Sequence, residues 1–142
     1  MSNDFFTSSN IDNADLIING IPFDSTTSFR PGTRFGPQSI RNVMDGLETY
    51  SPYQNKNIED YNIFDMGDIT LPFGNSEKVI SIIEDTLTPI FLNNKKMINI
   101  GGEHLVTYGI IKALIKKYSK FYFIHFDAHA DTRLNYLGEE LS

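Results

Sequence analysis

Four short apolar runs separated by helical periodicities predict an α/β fold with a parallel sheet. The runs, Asp15–Gly20, Tyr61–Asp65, Lys96–Ile100 and Phe121–Phe126, are near-continuous rather than alternating, as strands covered on both faces require. Amphipathic stretches lie between them, and strand–helix–strand succession joins parallel neighbours through right-handed crossovers.

Taken in order, residues 1–14 read as a polar N-terminal tail and 15–142 as one domain. The segment Met1–Asn10 lacks the basic-then-apolar pattern of a signal peptide. After the first strand, Gly36-Pro37 opens a helix over Pro37–Leu47, proline being suited to a first helical position. Glu48–Asp60, with Pro52 and several asparagines, reads as the most mobile loop. Ser76–Leu87 places Val79, Ile82, Ile83 and Leu87 on one face. Ser76 is its expected cap, and Pro89 is expected to end or kink it. Leu105–Tyr118 groups Tyr108, Ile111 and Leu114 or Ile115, with Lys112, Lys116 and Lys117 outward near the negative helix end. The stretch Lys112–Lys120 then reads as a solvated face. The last run, Phe121–Phe126, is apolar on both sides and wants neighbours and cover on both.

Size and charge exclude several functions. A chain of 142 residues can bury roughly two-thirds of its extended surface, enough for a core without staples. There is no cysteine, hence no disulfide, thiolate zinc site, iron–sulfur cluster or cysteine nucleophile. The net charge of −6 disfavours nucleic acid and suits a cationic small molecule. No apolar run approaches the ~20 residues needed to cross a bilayer, so membrane association is not expected and a cytoplasmic location is.

Chemistry concentrates after the third and fourth runs. His125-Phe-Asp127-Ala-His129-Ala-Asp131 sets imidazoles and carboxylates at alternate positions. In extended chain Asp127, His129 and Asp131 point to one side. Oxygen and imidazole donors together suit a divalent ion such as Mn, Fe, Co or Zn. Gly101-Gly102-Glu103-His104 ends the preceding strand, and neighbouring parallel strands lie ~4.8 Å apart. His104 is therefore expected beside Asp127, His129 and Asp131, where ligands collect at strand carboxyl ends. The plain alternative is a helix-capping His104 and a merely solvated Asp-rich loop; two motifs directly after buried strands favour the metal. His125, one step deeper, reads as a hydrogen-bonded core histidine, and Glu103 as a residue that orients ligands. Arg30-Pro-Gly-Thr-Arg34 reads as a loop feeding a helix start rather than an anion site. Asp65 and Asp68 read as turn residues bonding nearby amides. Asp24 stays open between a structural and a site role.

These motifs resemble the metal signatures of the ureohydrolases, the arginase and agmatinase superfamily. The likeness extends upstream through Gly20-Ile-Pro-Phe-Asp24, Arg30-Pro-Gly-Thr-Arg-Phe-Gly-Pro37 and Asp65-Met-Gly-Asp68. Gly-Gly-Glu-His-Leu-Val-Thr, and Asp-Ala-His-Ala-Asp followed by Tyr-Leu-Gly-Glu, are similar to bacterial agmatinases in particular. The resemblance implies an arginase-like three-layer α/β/α fold with a parallel sheet, seen here as its N-terminal half. It implies that His104, Asp127, His129 and Asp131 are four of six ligands to a binuclear Mn2+ centre. Asp127 would bridge the ions, His104 and Asp131 serve one, and His129 the other.

The family's two later aspartates and its proton-handling histidine have no counterpart in these residues. The 142-residue segment alone is therefore expected to be inactive and aggregation-prone. For the whole enzyme the resemblance implies a metal-bridging hydroxide that hydrolyses agmatine to putrescine and urea, within putrescine and polyamine biosynthesis, in a homo-oligomer (trimer or hexamer). The rivals are another ureohydrolase (guanidinobutyrase, formimidoylglutamase or arginase) and a noncatalytic metal-binding or assembly module.

Overall fold

The computed structural model describes residues 6–8 and 10–141; most of the expected tail's first ten residues, and Ser142, lie partly or wholly outside them. The elements in chain order are β1 (Leu16–Ile21), α1 (Gly36–Met44), β2 (Tyr50–Ser51), β3 (Lys56–Asn57), β4 (Ile63–Asp68), α2 (Ser76–Leu92), β5 (Lys96–Gly101) and α3 (Val106–Ile115). β4, β1 and β5 form a parallel sheet in that order. β2 and β3 pair antiparallel, folding the expected mobile loop into a small hairpin.

The central strand explains the sheet. Leu16-Ile-Ile-Asn-Gly-Ile21 is buried along almost its whole length, so it needs cover on both faces. Ile17 pairs in register with Phe64 and Met97. With Ile21 these residues join the core formed by Val79, Ile83 and Leu87 of α2 and Val106 and Ala113 of α3. Burying each large aliphatic side chain is worth about 1.5–3 kcal/mol. Gly109 lets the two helices approach closely, since a Cβ there would lie 2.9 Å from the Ile83 side chain. The opposite face carries Ile18 and Gly20, with Asp65 in register beside Ile18. α1 covers it: a Cβ on Gly20 would meet Pro37 at 3.0 Å. Helices on both faces of a parallel sheet give the three layers expected.

α1 is held by charge as well as contact. Arg41 Nε donates to Asp65 Oδ2 at 2.6 Å and Nη2 to Oδ1 at 2.9 Å, and Nη1 reaches Asp68. These partners, Asp65 first, raise the affinity of the guanidinium for its proton against the opposing effect of burial. Asp65 also accepts the Gly67 amide at 2.8 Å, the turn bond expected of it; the arginine clamp was not foreseen. Asp68 needs Gly20, where a Cβ would overlap its carboxylate.

Four expectations are corrected. α2 does not end at Pro89 but runs through it to Leu92, because Ile90 and Phe91 beyond the proline are buried in the core and hold the last turn in place. Its cap is Asn75, whose Oδ1 accepts the Lys78 amide at 2.9 Å, rather than Ser76. The lysines of α3 are engaged rather than merely solvated. Lys112 and Lys116 reach Glu84 at 3.1 and 3.0 Å, and Lys117 Nζ donates to the Phe91 carbonyl at 2.5 Å. Both ion pairs lower the Glu84 carboxyl pKa, Lys116 most. Finally, Phe121–Phe126 forms no strand. Among the described residues the outer edge of β5 has no ladder partner, and Tyr122 and Phe126 stand about 95% exposed. An extended run gains strand structure only from neighbours and cover, and it meets neither.

Two substitutions test this arrangement. Arg41→Met leaves two partly buried carboxylates facing each other and is expected to lower unfolding free energy by roughly 2 kcal/mol in urea titration, with Arg41→Lys recovering little because the bidentate fork is lost. Gly102→Ala places a Cβ 2.0 Å from the Phe23 carbonyl and should destabilise by about 3 kcal/mol or more, while Gly46→Ala, whose Cβ would meet the Val43 carbonyl at an ordinary 3.5 Å, stays within about 0.5 kcal/mol.

Candidate metal site

β1 and β5 run parallel in unbroken register to Ile21 and Gly101, so their carboxyl ends emerge side by side. There the backbones nearly touch. The Gly102 amide donates to the Ile21 carbonyl at 3.1 Å and the Glu103 amide to the Phe23 carbonyl at 2.7 Å. Only glycine fits between, as the Cβ distance above shows. Gly102 thus permits the close approach of the two strand ends.

This junction sets the two carboxylates below the site. Glu103 is buried; its Oε2 accepts the Thr26 amide at 2.8 Å and its other oxygen accepts the Thr26 hydroxyl. It therefore positions the Thr26 loop, where the sequence had it orienting the candidate ligands themselves. Asp24, left open by the sequence, is structural. It accepts the Gly32 amide at 2.6 Å and the Arg34 amide at 3.3 Å, and pairs with the Arg34 guanidinium at 2.5 Å. Arg34 also lies over the Phe73 ring at 5.9 Å. With its charge matched, Arg34 serves the lead into α1, as expected of Arg30–Arg34, and a single 3₁₀ turn at Thr33–Phe35 makes the join.

His104 stands just before α3 with a half-exposed side chain. It does not cap the helix, which has no side-chain cap. Its Nδ1 lies 3.2 Å from Asp131 Oδ2, so the two motifs meet across the fold. His104, His129 and Asp131 line one cleft of about 730 Å3 together with Thr26 and Phe29. Asp127 is engaged within its own motif: its Oδ1 accepts the His129 amide at 2.9 Å and its Oδ2 lies 3.5 Å from His125 Nε2. His125 is half exposed rather than in the core, because the segment that would have carried it inward makes no strand.

The alternation assumed for extended chain also breaks, since Asp131 adopts φ +47°. Among the described residues no three histidines, aspartates or glutamates stand close enough to share an ion. The structure thus brings together His104 with Asp131 and, separately, His125 with Asp127. What the sequence did not reveal is the Glu103–Thr26 clamp and the Asp24–Arg34 pair; the first joins residues 77 apart and the second residues 10 apart, and no periodicity marks either.

The His129 amide, then the charges of His125 and His104, hold the Asp127 carboxyl below its ordinary value of 3.8. A lowered carboxyl supports its turn above that value and loses the support as pH falls through the lower folded value. In an NMR titration the His129 amide resonance should accordingly shift with a midpoint below 3.8; a midpoint at or above it would show that the turn does not form.

Comparison with known proteins agrees with this architecture. The arginase family signature matches residues 14–142. The agmatinase of Bacillus subtilis (strain 168) is 51% identical over 129 residues, covering 91% of this chain and 44% of that protein. The crystal structure of a presumed agmatinase from Clostridium difficile superposes with a TM-score of 0.89 at 45% identity, over 94% of this chain and 48% of the other. Proclavaminate amidino hydrolase from Streptomyces clavuligerus superposes with a TM-score of 0.80 at 29% identity, over 91% and 43% of the two chains. The chain spans less than half the length of each of these relatives. With the signature running through β1, both strand-end motifs and the cleft they share, this chain belongs to the arginase family.

Proposed function

We propose that the protein is an agmatinase-type ureohydrolase that releases urea and putrescine from agmatine. The observation that carries this reading is the meeting of His104 and Asp131, donors from two separate strand-end motifs, at 3.2 Å on one cleft. The 51% identity to a named agmatinase supports the substrate.

The donors suit manganese in kind. Two imidazoles and two carboxylates are the mixed nitrogen and oxygen set that such a dication takes, and the half-exposed His104 and Asp131 are tied to one another, not to the backbone. By the family likeness His104, Asp127, His129 and Asp131 would hold the metal. When bound, it would supply Lewis acidity, bringing water towards neutrality as a nucleophile for the guanidinium carbon. The rest falls to the chain. Glu103 fixes the turn bearing His104 against the Thr26 loop. The carboxylates of Asp127 and Asp131, in a chain of net charge −6, favour entry of a guanidinium that stays charged at any physiological pH. The reading carries with it a cytoplasmic homo-oligomer, trimeric or hexameric, acting in putrescine formation.

A second reading is a ureohydrolase for another guanidino compound. It is supported by the likeness of this same region to an amidino hydrolase whose named substrate is proclavaminate. Urea release from agmatine, arginine and guanidinobutyrate by the manganese-loaded protein, as its gene encodes it, separates the two; the proposal expects agmatine to be turned over fastest. In the same protein Asp127→Asn should lower manganese affinity by about a hundredfold or more, beyond the loss usual for groups outside the ligand set. Asp68→Asn, whose side chain bonds Arg41 and none of the candidate ligands, should leave manganese affinity unchanged. Equal losses would place the site elsewhere.

A further inference from the structure

We propose that the Thr26–Arg34 loop is a preformed selecting rim of the cleft and that Phe29 is its aromatic wall. There it would receive the methylene chain and terminal ammonium of a guanidino substrate. The proposal rests on the hydrolase reading above and assigns the residue that chooses among its substrates.

Both ends of the loop are fastened by buried carboxylates. Glu103, 6% exposed, takes the Thr26 amide and hydroxyl; Asp24, 4% exposed, takes the Gly32 amide and the Arg34 side chain. Burying two carboxylates is favourable only when each is paired or hydrogen-bonded, and these contacts hold the loop's ends in place. Phe29 is 77% exposed, although it lines the same cleft as His104, His129 and Asp131. Arg30 beside it holds φ +38°, a conformation that costs a non-glycine residue energy and persists where surrounding contacts impose it.

The ring already receives a cation. The Arg30 guanidinium lies 5.3 Å from the Phe29 centroid, within the range where the negative ring face attracts positive charge. The cleft wall also includes Glu139, Glu140 and Arg133. An alkyl chain ending in ammonium would find an apolar ring for its methylenes and negative surfaces for its charge. The ring therefore takes the methylene chain, and its negative face favours a cationic end over a neutral one.

The test is steady-state kinetics on the manganese-loaded protein, with agmatine, guanidinobutyrate and butylguanidine, which has the same carbon chain and no charged end. Phe29→Leu should raise KM for agmatine about tenfold with kcat within about twofold, and raise KM for butylguanidine clearly less. Phe29→Tyr should retain the parent KM, since it keeps the ring. An unchanged agmatine KM in Phe29→Leu, an equal rise for agmatine and butylguanidine, or a fall in kcat alone would overturn the assignment while leaving the hydrolase reading standing. A parent protein that releases urea from none of the three would overturn both.

Discussion

Where β1 and β5 end, two backbones come so close that no side chain can stand between them. The Gly102 position lies against the Phe23 carbonyl, and amides from Gly102 and Glu103 close onto Ile21 and Phe23. Everything near the candidate site follows from this contact. It fixes the direction in which the chain leaves β5, and so where His104 stands. It also lowers Glu103 into reach of Thr26, which holds the opposite wall of the cleft. Parallel pairing in unbroken register brings the two ends level; a shift of one residue would separate them and turn each side chain to the other face.

Most of the chain's acidic residues with partners serve the framework. Asp65 and Asp68 hold Arg41, Asp24 holds Arg34, and Glu84 joins α2 to α3 through two lysines. These pairs differ in worth. In the Glu84 cluster the lysines are exposed, so water screens their pairing and it adds little. The Arg41–Asp65 fork is bidentate and largely shielded, so its geometry is specific and losing one partner leaves an uncompensated charge. The acidity that suits a cationic ligand is thus concentrated in fewer groups than the net charge implies, chiefly those around the cleft.

Much of the fold is legible residue by residue. β1 is nearly all aliphatic and could only be central; β4 and β5 begin within two residues of the expected runs. Helix starts after Gly36-Pro37 and near Ser76 follow from proline and capping chemistry. Pro89 misleads because local preference counts for less than burying Ile90 and Phe91. Phe121–Phe126 misleads for the opposite reason. Its composition is that of a strand, but strand structure is a property of pairs, and no partner stands beside it among the described residues.

By itself the sequence determined the donor types and their spacing, the order of strands and helices, and the family likeness. Each of these is written in neighbouring residues, where periodicity and backbone preference act. Only the tertiary structure decided which donors meet. His104 and Asp131 are 27 residues apart, and their approach depends on a turn at Asp131 with positive φ. Asp24 and Glu103 became loop anchors for a similar reason. A carboxylate carries no mark of its partner, and burial in a particular place is what compels it to find one.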